Sequence, residues 1–361
     1  MKGKRKFIAK AGLSVLALSL VSLIHCAAKK YPDGLYAEVT TNKGLIVMQL
    51  EFKKTPMTAA NFVGLAEGTI KNAAFPEGTP YFNGTKFHRV APGHVIQCGI
   101  PKGSDQQGPG YEFPNEIRPD LSHGRAGMVN MANSGPHTNG SQWCIMLGDR
   151  SYLDGDYTVF GHVVQGMEVV FSIVQEDEIQ AVKIVRVGQA ARKIRPTDES
   201  FRKMVEEANV RVKEAEDTKK LEEEETIRKN WPDPKILENG LRYIVVREGK
   251  GKALAAGAKI QVVYTGKSLH GLSFLSTADE GKPAFGDRGE PFEYEIGKSH
   301  VNPGFDAAIA QMKKGEKRIL IVPAELGYGI PGFYAKEKKG EKRFHISPNT
   351  ILVYEVDVLE F

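Results

Sequence analysis

The run Phe87 to Gly99, FHRVAPGHVIQCG, sets Arg89 in a strand beside an apolar face and gives that strand a downstream glutamine, Gln97. A second run, Met131 to Ile145, MANSGPHTNGSQWCI, is dense in side-chain amides and hydroxyls. A guanidinium fixed among such groups is a hydrogen-bond donor that acts on developing charge without forming a bond itself. Covalent and metal chemistry find no support, because the histidines show no ligand spacing and no nucleophile-base set is apparent. Alone, Arg89 would be read as half of a surface ion pair. The run around it makes it a candidate.

Together the two runs resemble the recognition segments of the cyclophilins, peptidyl-prolyl cis/trans isomerases with the pattern FHR-x-x-PG-x-x-x-Q and then MAN-x-G-x-x-TNGSQ-F. YLDGDYTVFG, Tyr152 to Gly161, stands where that family has its third segment. The resemblance implies a specific chemistry. Rotation about a prolyl amide meets a barrier of roughly 18–20 kcal/mol set by resonance, and no bond is made or broken. A catalyst must favour the twisted amide, whose nitrogen regains its lone pair, and a donor aimed there gains more in the transition state than in the ground state. By position that donor is Arg89, with Phe87, Gln97, Asn133 and Gln142 completing the catalytic set. The proline pocket falls on His94, Val95, Ala132, Ser134, Cys144, Tyr152, Leu153 and Tyr157. Most active members have Phe, Met, Phe and Leu where this chain has His94, Val95, Cys144 and Leu153. Two aromatic walls are therefore missing, and weak proline affinity is expected. Tyr152 replaces a Trp that contacts cyclosporin in the family, which implies reduced sensitivity to the drug.

The chain from about Lys235 to Phe361 resembles a second, unrelated family, the FKBP-type isomerases. The carrying residues are ILENGLRYIVVREGKG, VVYTGKSLHG, GEPFEYEIGKSHVNPGFDAAIAQMKKGEKR, ELGYG and the terminal ILVYEVDVLEF. Such a site is a desolvated aromatic cup, in which the less polar twisted amide is favoured over the planar form. By position the cup is Tyr264, Phe274, Phe292, Val301, Asn302, Phe305, Tyr328, Ile346 and Tyr354. Three departures stand out: Leu275 for the usual Asp, Phe305 for Trp and Asn302 for Ile. An insertion, FYAKEKKGEKRF from Phe333 to Phe344, lengthens the loop after Tyr328. Its lysine-rich tip is most simply solvated. A binding site for acidic protein segments is the sharper alternative.

Placing these groups requires two mainly β domains. YAEVTTNKGLIVMQLE, from Tyr36, reads as two alternating strands around Asn42-Lys43-Gly44, a hairpin signal. A helix follows from Pro56 to Glu67, opening after Thr55 and ending at Gly68, with a second over Gly166 to Val174. In the second domain Lys259–Tyr264 and Leu352–Leu359 alternate as strands, around a short helix through Phe305 to Met312 with Phe305, Ala308, Ile309 and Met312 on one face. The expected fold is a cyclophilin-like closed antiparallel β-barrel with two helices over 35–190, a charged helical linker over 191–234, and an FKBP-like antiparallel sheet wrapped on one short helix over 235–361. In the linker, Phe201, Val205, Ala208, Val212 and Ala215 recur at helical spacing. The bland reading is a solvated spacer helix, and the alternative is a homodimer seam.

At 361 residues the chain exceeds one average domain, and its +5 charge, with acids and bases interleaved, does not suggest a nucleic-acid partner. Lys2, Lys4, Arg5 and Lys6 precede the apolar run Leu13 to Ile24, the layout of an export signal too short for a comfortable membrane span. Leu23 to Cys26 resembles a bacterial lipoprotein box, with Cys26 as the lipidated residue of a 1–28 export segment and His25 as a departure. In the fold the cyclophilin resemblance implies, Cys144 faces the proline pocket and Cys98, following Gln97, the opposite side, so both are expected to be free thiols. The leading expectation is an exported envelope isomerase with two unrelated sites, acting on proline-containing clients without cofactor or metal. The alternative is a non-catalytic peptide-binding chaperone using both folds.

Overall fold

The structure, a computed structural model, describes residues 30–103, 107–271, 273–276, 291–298, 301–334 and 345–359. The export segment with Cys26 and most of the Phe333–Phe344 insertion lie outside the described residues.

The first half begins with β1 (Gly34–Thr41) and β2 (Gly44–Leu50), which pair in register from Thr41–Gly44 to Leu35–Leu50 around the Asn42-Lys43 turn. Helix α1 (Pro56–Glu67) starts with Pro at its first position and stops at Gly68, whose φ of 73° is left-handed. Its free N-terminal amides are satisfied from a distance: Glu116 accepts from the backbone of Met57 and Thr58, at 3.1 and 2.7 Å, and from the Thr58 hydroxyl. The order continues through β3 (Arg89–Ala91), β4 (Val95–Cys98), β5 (Met128–Met131), β6 (Trp143–Met146), β7 (Val159–Gln165), α2 (Met167–Ser172) and β8 (Ile179–Val187). A short helix the sequence did not announce, α3 (Gly188–Arg192), follows directly.

These eight strands form one antiparallel sheet in the order β3-β4-β6-β5-β7-β2-β1-β8. The expected closed barrel is here a curled half-barrel, because β3 and β8 share no ladder. Among the described residues the gap is spanned by the single bridge Lys86–Glu178 and by backbone bonds such as Phe87 N to Asp177 O at 2.9 Å. The short strands β4 and β6 alternate strictly. Ile96, Cys98, Trp143 and Ile145 enter the main core, while Val95, Cys144 and Met146 form a second apolar cluster on the other face.

The linker becomes α4 (Asp198–Asn230), opened by a reciprocal cap in which Thr197 accepts from Ser200 N and the Ser200 hydroxyl accepts from Thr197 N. It is not a solvated spacer along its whole length. Phe201 and Ala208 are buried in the first core, with the Phe201 ring 5.8 Å from Phe113. Ile227, near the other end, packs with Leu269, Ile321 and Val353.

The second half comprises β9 (Lys235–Ile236), β10 (Arg242–Arg247), β11 (Lys259–Ser268), β12 (Ser273–Ser276), β13 (Phe292–Glu295), α5 (Pro303–Ile309), β14 (Lys317–Val322), β15 (Phe333–Tyr334), β16 (His345–Ile346) and β17 (Leu352–Val358). Its main sheet runs β12-β11-β17-β14-β10-β9, with β13 also on β11. Helix α5 lays Phe305, Ala308 and Ile309, with Met312 just beyond it, fully into the core.

Candidate functional site

Arg89 opens β3, whose register sets it opposite Gln97 of β4, and Gln97 in turn opposite Cys144 of β6. Residues opposed across antiparallel strands share a face, so the guanidinium, the amide and the thiol all lie on the side of the second apolar cluster. A chain of hydrogen bonds fixes the polar members. Arg89 Nη1 donates to Gln97 Oε1 at 3.2 Å, Gln97 Nε2 to Gln142 Oε1 at 2.9 Å, and Gln142 Nε2 to the Gln107 carbonyl at 2.8 Å. Arg89 itself is exposed, which leaves donors available on its other nitrogens.

The apolar side of the site is the cluster of Val95, Met128, Cys144, Met146, Leu153 and Val159, with Ala132, Tyr152 and Tyr157 packed against it. This gathers most of the sequence-derived pocket. It adds Met128, Met146 and Val159, which the alternation of β5, β6 and β7 would have revealed once Cys144 was placed on that face. Asn133 stands at the rim, its Nδ2 donating to the Asp156 carbonyl at 3.1 Å and its Oδ1 accepting from Gly135 N. Ser134 is exposed beside it. A cavity of about 460 Å³ continues from this rim, lined by Gln97, Asn133 and Gln142 and reaching Tyr111.

Two placements differ from the sequence reading. Phe87 does not line the pocket: it precedes β3 and is fully buried in the main core, whereas Arg89, at the start of the strand, is exposed. His94 is not an open substitute for an aromatic wall. Arg150 Nε donates to its Nδ1 at 2.6 Å, and the same guanidinium donates to the Gly93 and Asp149 carbonyls. Since guanidinium only donates, that imidazole nitrogen carries no proton. Arg150 was not foreseen, and no local pattern in the sequence marks a contact 56 residues away.

Cys98 and Cys144 are both free and buried, and they sit in different clusters on opposite faces. Burial pushes the Cys144 thiol up to about 12, against the opposing charge of Arg89, and burial also raises the Cys98 thiol well above its ordinary range.

In the second half the cup residues converge on one cluster. Tyr264, Phe274, Asn302, Phe305, Ile346 and Tyr354 are buried, while Phe292, Val301 and Tyr328 remain half-buried. The Phe305 ring centre is 5.1 Å from those of both Tyr264 and Tyr354. Asn302 has a structural reason to be Asn: its Oδ1 accepts from Phe305 N as the cap of α5, and its Nδ2 donates to the Tyr354 hydroxyl at 2.7 Å. The side chain of Leu275 lies outside the described residues. Asp306 of α5, not anticipated, accepts from the Tyr294 hydroxyl at 2.7 Å. Burial raises the Tyr328 and Tyr354 hydroxyls above their ordinary range, so both stay protonated donors.

Comparison with known proteins accords with both halves. Residues 36–189 match the family model for cyclophilin type peptidyl-prolyl cis-trans isomerases, and residues 250–359 match that for FKBP-type peptidyl-prolyl cis-trans isomerases. Peptidyl-prolyl cis-trans isomerase A of Mycobacterium tuberculosis is 42% identical over 132 residues, covering 36% of this chain and 72% of that protein. The human peptidyl-prolyl cis-trans isomerase-like 1 is 38% identical over 43% of this chain and 91% of its own length. A solved cyclophilin type isomerase of Cryptosporidium parvum is 28% identical, covering 44% of this chain and all of that one, with a TM-score of 0.37. This chain belongs to the cyclophilin-type peptidyl-prolyl isomerases and carries an FKBP-type isomerase domain after it, and it acts as an isomerase on proline-containing polypeptides.

Proposed function

We propose that both domains are catalytic and that the first works through Arg89. The observation that carries this reading is the hydrogen-bonded series Arg89–Gln97–Gln142 bordering an apolar cluster. Such a pocket holds the pyrrolidine ring while the amides of Gln97, Asn133 and Gln142 hold flanking backbone. Arg89 then donates to the imide nitrogen as it becomes pyramidal, an interaction that the planar ground state scarcely offers. Phe87 supports this strand from the core. In the second domain the half-buried Phe292, Val301 and Tyr328 form the accessible lip of the cup over the buried Tyr264, Phe274, Phe305, Ile346 and Tyr354, with Tyr328 and Asn302 as polar handles. A protease-free exchange assay on proline tetrapeptides tests the first site. Arg89→Ala should lose the Arg-dependent rate, and an unchanged rate would contradict the assignment.

A non-catalytic, peptide-gripping role for the second domain is the competing reading, because six of its nine cup residues are buried against one another. We further propose domain limits of 35–190, 191–234 and 235–361, and export after lipidation at Cys26, which would hold the protein on a membrane facing the periplasm or surface to assist folding of exported proteins. The charged Lys2–Lys6 start and the apolar run before Cys26 support this. Globomycin should shift the precursor of the native chain and leave Cys26→Ala unaffected; identical mobility of all four samples would oppose lipidation. A homodimer through α4 could not use Phe201 and Ala208, which are already covered, and would draw on exposed residues such as Met204, Val210 and Leu221.

A further inference from the structure

We propose that the second domain completes the first site, with Ile330 and Pro331 forming a subsite that holds an aliphatic side chain next to the client's proline. This rests on the reading of Arg89 given above. Ile330 follows Tyr328 by two residues, in the turn that leaves the second cup. It is seated directly on the loop that carries Asn133: a Cβ at Gly135 would lie 2.5 Å from Ile330 Cγ2, so the absence of a side chain at Gly135 admits the contact. Around this contact is a cavity of about 230 Å³, lined from the first domain by Asn133, Asp156 and Tyr157 and from the second by Ile330, Pro331 and Pro348. Asn133 and Tyr157 also belong to the candidate proline site, so the cavity and that site share a wall. Its volume is below the roughly 300–1,000 Å³ of small-molecule sites and suits a side chain of a bound polypeptide.

The lining selects the occupant. Three prolines, Pro136 among them, with Ile330 and the Tyr157 ring give a stiff apolar wall that suits an aliphatic group, facing a polar side of Asn133, Ser134 and Asp156 whose carboxylate works against an acidic occupant. Ile330 is 58% exposed, an unusual setting for a large aliphatic residue beside a client site. The contact is also held rather than loosely tethered. Helix α4 is buried at Phe201 and Ala208 in the first domain and at Ile227 in the second, and Glu224 accepts two bonds of 2.8 Å from Arg242.

The test uses the full chain and peptides that differ only in the residue flanking proline, Leu or Glu, on each side in turn. The quantity read is the Arg89-dependent turnover, that is, the rate lost in Arg89→Ala. The native chain should prefer Leu on one side by about tenfold in kcat/KM, the scale of one pocket contact. Ile330→Asp and Ile330→Ser should each bring the preference to within about twofold of unity, through KM. Arg89-dependent turnover with no Leu preference, or a preference unchanged in both Ile330 variants, overturns the subsite and leaves the Arg89 reading standing. Absence of any Arg89-dependent turnover overturns both.

Discussion

The role proposed for Arg89 rests on geometry: its guanidinium donates to Gln97 beside the apolar cluster, and Gln142 in turn holds the Gln97 amide. Removing one preorganised donor typically costs about 10²–10³ in rate, so Arg89→Ala should lower the first domain's kcat/KM by about that factor in a protease-free assay. Arg89→Lys should not restore it, since an ammonium cannot reproduce the planar fork. The two thiols offer a second check. With both held protonated by burial, neither Cys98 nor Cys144 should react with iodoacetamide at pH 8 in the native protein; both should react after denaturation, as followed by mass spectrometry. Much of this detail was legible in the chain. Arg89 and Gln97 lie on paired short strands within one run, and Gln142, just before β6, comes from the second, so two runs of fixed spacing locate all three. Phe87 was misread because closeness in sequence was taken for closeness in space, whereas it precedes β3, bonds through its backbone to Asp177 and turns its ring into the main core. Arg150 was invisible because its hold on His94 arises only when the chain folds back on itself.

Helix α4 shows how an element with an apparent local meaning acquires another from its surroundings. The Phe201–Val205–Ala208 stripe has helical spacing, and spacing alone does not say which surface covers it. In the fold the covering surface is the protein's own first core. Phe201→Ala should therefore cost about 3–5 kcal/mol, the range for buried aromatic truncation, read by denaturant unfolding. Thr197→Ala should cost about 1 kcal/mol by loss of the helix cap. A spacer helix surrounded by water would show almost no effect of the first change. Elements set by local rules were legible: α1 to the residue, with its Pro at the start and Gly68 at the end, and the β1–β2 hairpin to within two residues. The α3 turn and the gap between β3 and β8 were not, because strand closure and a one-turn helix depend on contacts distant in sequence.

Two domains with unrelated cores share one chain, and stability should respond to acid through a buried histidine of the first and its exposed carboxylate partner. His123 is fully buried, and burial holds it below its ordinary range; its partner Asp154, against the cost of burial, is held below the carboxylate range by bonds from Ser122 and His123. For both, the unfolded chain binds protons that the native state resists. Their stabilisation is thus present above the unfolded values, about 6.5 for His and about 3.9 for Asp, and is lost as pH falls through the native ones. Thermal melts should show Tm falling from pH 7 to pH 5, with a smaller fall in His123→Gln. The same pairing of domains makes one rate measurement decisive. Full-length protein, Arg89→Ala, Tyr328→Ala and the double variant are compared by protease-free exchange on a proline tetrapeptide, with folding checked by circular dichroism. Each single variant should keep the part of the turnover due to the other domain, and the double variant should fall to the uncatalysed rate. Full turnover in folded Arg89→Ala, or catalysis surviving in the folded double variant, would contradict the account.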